Sequence, residues 1–271
     1  MKSLTLGTAH LLLPQHWGEC TQTQLIEGLE LQLLLQEKAN DADGAMVLLQ
    51  ALACLLGKFT PAFWESLSID QRFEIIEALR WATVEKATQL PFRSFRHRGR
   101  QYLLPRENFA DTSGIELAMA NIHYLAFSEG HPTRIFDLIA TIARPCKWHT
   151  PIRRLLPSYD GDDRQTYNSL KAERRAKRLG SLRLGMCIAI LQYWENQNNR
   201  FYEIYREIYE GGNGRTLFHN GEGWIATLED VASAGVHGNF EKVCETNAHT
   251  LWMWLKHRKV LLNEQERLAE N

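Results

Sequence analysis

The chain has 271 residues, 44% of them hydrophobic and 23% charged. That is enough apolar material for one large or two small cores and excludes wholesale disorder. A net charge of −1 and a pI near 6.8 argue against a dedicated nucleic-acid-binding domain, whose pI usually exceeds about 9.

Met1–Thr5 shows no signal-peptide pattern. Leu11–Trp17 reads as an apolar, proline-containing lead-in. Thr21 or Thr23 can cap a helix that places Leu25, Ile26, Leu29, Leu33 and Leu34 on one face. Asn40-Asp41-Ala42-Asp43-Gly44 breaks it. A second helix over Ala45–Leu56 stops at Gly57, a natural C-terminal residue. Thr60-Pro61 opens a short turn, and Ser68-Ile69-Asp70-Gln71 is a capping box ahead of Phe73, Ile76 and Leu79.

Pro91–Pro105 changes character. Phe92, Phe95, Tyr102 and Leu104 flank Arg96-His97-Arg98-Gly99-Arg100, which predicts one minor β-hairpin near 92–104. Ser113-Gly114-Ile115-Glu116 reads as a second capping box, opening a helix through Phe127. His131-Pro132 begins another that ends before Arg144-Pro145. Residues 144–161 hold three prolines and no period, so they read as a connecting loop between an N-terminal half (1–143) and a C-terminal half (162–271). A long helix is expected over Asp163–Trp194 and another over Arg200–Tyr209. Gly211-Gly212-Asn213-Gly214 follows as a loop, then a short helix over Glu222–Ala234. Asn239 or Thr246 caps a last helix carrying Leu251, Trp252, Leu255 and Leu262, fraying after Lys256. The predicted fold class is all-α, a multi-helix bundle with that single hairpin.

No apolar run reaches the roughly 20 residues that cross a membrane, so no membrane association is expected. The five cysteines are odd in number and far apart, and read as reduced, small core hydrophobes of a cytoplasmic protein. No spacing demands a particular chemistry. Asp160, Asp162 and Asp163 form the densest carboxylate group. Three oxygens could hold a divalent cation, yet a turn leading into a helix cap explains them as well. The histidines are scattered, with His249 and His257 on one helix but no further ligand beside them. Gly211–Arg215 lacks the lysine and preceding strand of a phosphate loop. The expectation is therefore no catalytic residue, no metal and no cofactor: not an enzyme.

Charge and aromatic patterning supply the remaining candidates. Pro91–Arg106 carries five arginines and no acid, and Arg144–Arg183 carries eleven Lys and Arg against four acids. Within the latter, Lys171, Arg174, Arg175 and Arg178 form a basic surface on a helix, with Arg175 about 100° round from the others. Such a stripe is either a solvated helix face or a track for nucleic-acid phosphates. Tyr202, Tyr205 and Tyr209 recur at spacings of three and four, and Trp252 and Trp254 lie two apart. These five are the candidate partner-binding residues, with an aromatic core seam as the alternative. On the binding reading, a Tyr205→Ala, Trp254→Ala double variant folds but loses its partner.

Several segments together resemble helical tail-assembly-chaperone-like proteins of phages and prophages. They are Leu13-Pro14-Gln15-His16-Trp17-Gly18-Glu19-Cys20-Thr21, Tyr102-Leu103-Leu104-Pro105 with Thr112–Glu116, Gly161–Asn168, and Gly223-Trp224-Ile225-Ala226-Thr227-Leu228 with Gly235–Phe240. The resemblance spans most of the chain and rests on packing and capping residues. It implies a non-enzymatic role in the host-cell cytoplasm: holding a tape-measure or tail subunit soluble during assembly by covering its apolar helical faces. The hairpin and the basic centre depart from that pattern. They leave open a structural virion component, or a nucleic-acid-associated helical protein using residues 144–183.

Overall fold

The structure is a computed structural model that describes residues 1–6, 9–38, 40–148, 152, 154–157, 159, 161–209 and 219–269. It is mostly helical, with two small antiparallel sheets where the sequence predicts one hairpin. The chain divides into two compact units, Met1–Phe92 with Leu182–Trp194, and Arg93–Ser181 with Glu195–Asn271. Residues 144–161, expected to connect two halves, fall inside the second unit. No helix among the described residues is long and apolar enough to cross a membrane.

The first unit opens with the unexpected sheet. Strands β1 (Lys2–Leu6) and β2 (Ala9–Leu13) pair antiparallel, with Leu4 opposite Leu11. Leu4 and Leu13 are buried while Leu12 is exposed, the alternation a one-faced sheet requires. Then come α1 (Gln22–Glu37), α2 (Ala42–Gly57), α3 (Pro61–Ser66) and α4 (Ile69–Ala78). Thr21 and Ser68 form capping boxes with Gln24 and Gln71. Asp41 accepts a bond from the Gly44 amide, so Asn40–Gly44 is less a break than the start of α2. Leu25, Leu29, Leu52, Leu56, Trp17 and Ile75 build the core. Two indoles fasten it: Trp17 Nε1 donates to the Glu85 carbonyl at 2.9 Å and Trp81 Nε1 to that of Pro14 at 3.0 Å. Gly185 is required by close approach, because a Cβ there would lie 2.0 Å from the Ile26 carbonyl oxygen.

The second unit begins with β3 (Ser94–His97) and β4 (Arg100–Leu103), the predicted hairpin. Arg98 and Gly99 both have positive φ at its tip, a turn that favours glycine at the second position. A third strand, β5 (Arg144–Pro145), adds to β4. The helices are α5 (Gly114–Ser128), α6 (Arg134–Ile142), α7 (Ser169–Leu179), α9 (Arg206–Tyr209), α10 (Gly223–Ser233), α11 (Phe240–Glu245) and α12 (Ala248–Ala269). Helix α8 (Leu184–Ile204) begins in the first unit and ends in the second.

The long helix expected over Asp163–Trp194 is therefore two. Asn168 caps α7, which stops at Gly180. Asn239 caps the short α11, and α12 stays helical past Lys256 to Ala269. Arg175 does not belong to the basic surface. It is buried, and its Nε donates to the Ala140 carbonyl at 3.0 Å, because this face of α7 packs on α6. Lys171 and Arg174 remain exposed and Arg178 is half-buried.

Candidate functional site

Two constellations in the second unit gather chemistry-bearing side chains. The first is ionic. Ser113 caps α5 by accepting from the Glu116 amide, but the Glu116 side chain does not return the bond to complete a capping box. It turns inward, fully buried, between two buried guanidiniums. Glu116 Oε1 accepts from Arg164 Nη1 at 2.7 Å and Oε2 from Arg144 Nη2 at 2.6 Å. Asp162 accepts from Arg164 Nε at 2.9 Å and Arg144 Nη2 at 2.8 Å, and Asp111 accepts from Arg164 Nη2 at 3.2 Å. Arg164 also donates to the carbonyls of Ile142 and Asp111. Every arm of its planar fork is used, which suits arginine and not lysine. Burial pushes the Glu116 carboxyl upward, against the pull of Arg144 and Arg164.

Asp163 sits in an adjoining set, held by Arg154 and by the Tyr159 hydroxyl at 2.7 Å, with Arg93 and Arg106 near 3.7 and 3.8 Å. The Arg154 hydrogen bonds hold its carboxyl down at about 2, below its ordinary 3.8. A depressed carboxylate stabilises the folded state fully above its unfolded value and loses that contribution as pH falls through the folded one. We therefore expect the stability difference between wild type and Asp163→Asn to be constant above about pH 5. It should shrink as pH falls through about 2 and vanish near pH 1, as read by thermal denaturation at stepped pH.

Asp162 and Asp163 thus face arginines. Asp160, the third carboxylate of the group, lies outside the described residues, as does the loop Gly211–Gly214. Among the described residues no group of three or more His, Cys, Asp or Glu could hold a metal ion. His249 is engaged by the Tyr205 hydroxyl at 2.8 Å. Burial pushes the Cys20 and Cys187 thiols up to about 12 and 11, which keeps them un-ionised at neutral pH.

The second constellation is aromatic and contains four of the five candidate partner-binding residues. Tyr205 and Trp252 are core residues, 1% exposed each. Together with the fully buried Phe109 they surround the fully buried Phe201 ring, which lies 4.8 Å from Tyr205 and 5.4 Å from Trp252. Tyr205 thus lies in an aromatic core seam, and Tyr205→Ala is expected to destabilise the fold. Trp254 is half-buried on another side of α12, with the Arg258 guanidinium 5.2 Å over its ring.

Tyr202 and Tyr209 behave differently. Tyr209 is 43% exposed and Tyr202 half-buried, and their rings meet edge-on at 4.8 Å. Trp224 from α10 joins them, 6.0 Å from Tyr202 and 5.8 Å from Trp252. The Trp252 indole donates to the Tyr209 hydroxyl at 2.7 Å, tying α12 to α9. These four rings line a pocket of about 500 Å³, with Leu125 and Glu129 among its other walls. Pockets for small ligands run from roughly 300 to 1,000 Å³. Burial pushes the Tyr202 hydroxyl up to about 12 and Tyr209 also upward, so both rings stay neutral. Trp224 and Glu129 were not among the sequence candidates. Their only signals are an apolar position on a short helix and an acid at a helix end, and neither carries a distinguishing spacing.

No protein-family model matches the chain, and neither a curated protein nor a solved structure matches it.

Proposed function

We propose that this is a non-enzymatic binding protein. It acts in the cytoplasm and receives an amphipathic segment of a protein partner at the aromatic pocket of its second unit. In the more specific form it is a phage or prophage tail-assembly protein that shields a tape-measure or tail subunit before assembly. The observation that carries the reading is the pocket itself. Tyr202, Tyr209 and Trp224 keep part of their surface accessible around a hollow floored by Trp252. Exposed aromatic clusters of this kind supply the anchors of protein interfaces, each worth roughly 2 kcal/mol or more on truncation. Asp162 and Asp163, by contrast, pair with arginines and serve the architecture.

The test is co-expression with the tape-measure protein of the same gene cluster. The wild type should keep that protein soluble and co-purify with it. Trp224→Ala and Tyr209→Ala should lose the complex while keeping the helical circular-dichroism signal. A gene that lies among metabolic genes, or variants that hold the partner as well as the wild type, would contradict the reading.

A further inference from the structure

We propose that the aromatic pocket recognises an organic cation, either a quaternary ammonium or the cationic head of a partner's arginine or lysine. This rests on the reading of the pocket as a binding site and names what enters it. The rings of Tyr202, Tyr209, Trp224 and Trp252 all line the one hollow. Aromatic faces carry the negative side of the ring quadrupole and attract a poorly hydrated cation brought within about 6 Å of the centroid. Tryptophan is the strongest such partner, and the half-buried Trp224 supplies it above a floor formed by Trp252, which is 1% exposed.

The charges agree. Among the described residues lining the pocket, Glu129 is the one acid, and there is no lysine or arginine. Glu129 is exposed, at the end of α5. It also borders an adjoining hollow of about 530 Å³ that shares Asn220 with the pocket. That neighbour contains Arg134, but Asp137 accepts from its guanidinium at 3.2 Å, so no unpaired cation there opposes the ligand. His219 also lines the aromatic pocket. Leu125 and Ile208 supply contact for the methyl groups or aliphatic stem that such a cation carries.

The probes are choline, its neutral carbon isostere dimethylbutanol, and N-acetylarginine amide, each titrated against the full-length protein. The Trp224 and Trp252 indole N–H resonances report binding. Choline should bind about tenfold tighter than the isostere, because only the charge differs. Glu129→Gln, a surface change that leaves the fold alone, should narrow that ratio. Trp224→Ala should abolish the shift at Trp252. The tighter of choline and the arginine amide identifies the source, free quaternary ammonium or side chain. Equal binding of choline and dimethylbutanol, or no indole shift with any cation, overturns the inference while leaving partner docking standing. Selective choline binding without capture of the tail subunit would instead sink the assembly reading alone.

Discussion

Arg164→Met is expected to destabilise the second unit by about 3–5 kcal/mol, the cost of breaking a buried ion pair by removing one partner. Arg164 is completely buried and bonds Glu116, Asp162 and Asp111 together with two carbonyls. Its loss leaves three carboxylates facing one another, with the buried Arg144 still paired to Glu116 and Asp162. A native protein has only about 5–15 kcal/mol in hand, so the variant should unfold well below the wild-type denaturant midpoint. Removing the opposing charge as well, in Arg164→Met with Glu116→Leu, should recover part of the loss. A buried pair replaced by apolar groups is often close to neutral. If the double variant is no better than Arg164→Met alone, Glu116 and Arg164 are not energetically coupled.

The second large effect falls on the aromatic core. Trp252→Ala is expected to cost about 3–5 kcal/mol, since a fully buried large ring is removed and its surroundings collapse only in part. Tyr205→Ala should be comparably damaging. It loses the contact with Phe201 and leaves the His249 ring without its hydroxyl partner. Trp254→Ala should be milder, because that ring is only half-buried, between Arg258 and His237. Urea denaturation of the three single variants separates the cases. Equal midpoints for Trp254→Ala and Trp252→Ala would refute the placement of Trp252 in the core.

Much of the helical framework is legible from local rules. Thr21, Thr60, Ser68, Ser113 and Asn239 all cap helices through their own side chains, a signal confined to four residues, whereas Asn168 caps α7 where the sequence predicts a helix already running from Asp163. What escapes is non-local. Strand β5 is two residues long and exists only because β4 offers an edge, so Arg144-Pro145 carries no strand pattern of its own. The β1–β2 sheet was legible in principle, as Ser3-Leu4-Thr5-Leu6 alternates with period two, yet its shortness hides it beside the longer helical repeats.

The ionic centre shows the same limit more sharply. Glu116 fits the capping-box pattern by spacing, but two buried arginines from distant parts of the chain claim its carboxylate. Likewise Tyr202, Tyr205 and Tyr209 form one stripe by spacing. The structure splits it, burying Tyr205 against Phe201 and His249 and leaving Tyr202 and Tyr209 on the pocket. Spacing places side chains on a face, and only the neighbouring helices decide whether that face meets protein or water.

The most direct measurement is amide hydrogen exchange on the protein with and without its co-expressed partner. Binding at the aromatic pocket predicts new protection in 202–209 and 219–227, with little change over the basic face of α7 around Lys171 and Arg174. Protection confined to α7, with the pocket segments exchanging as in the free protein, would contradict it.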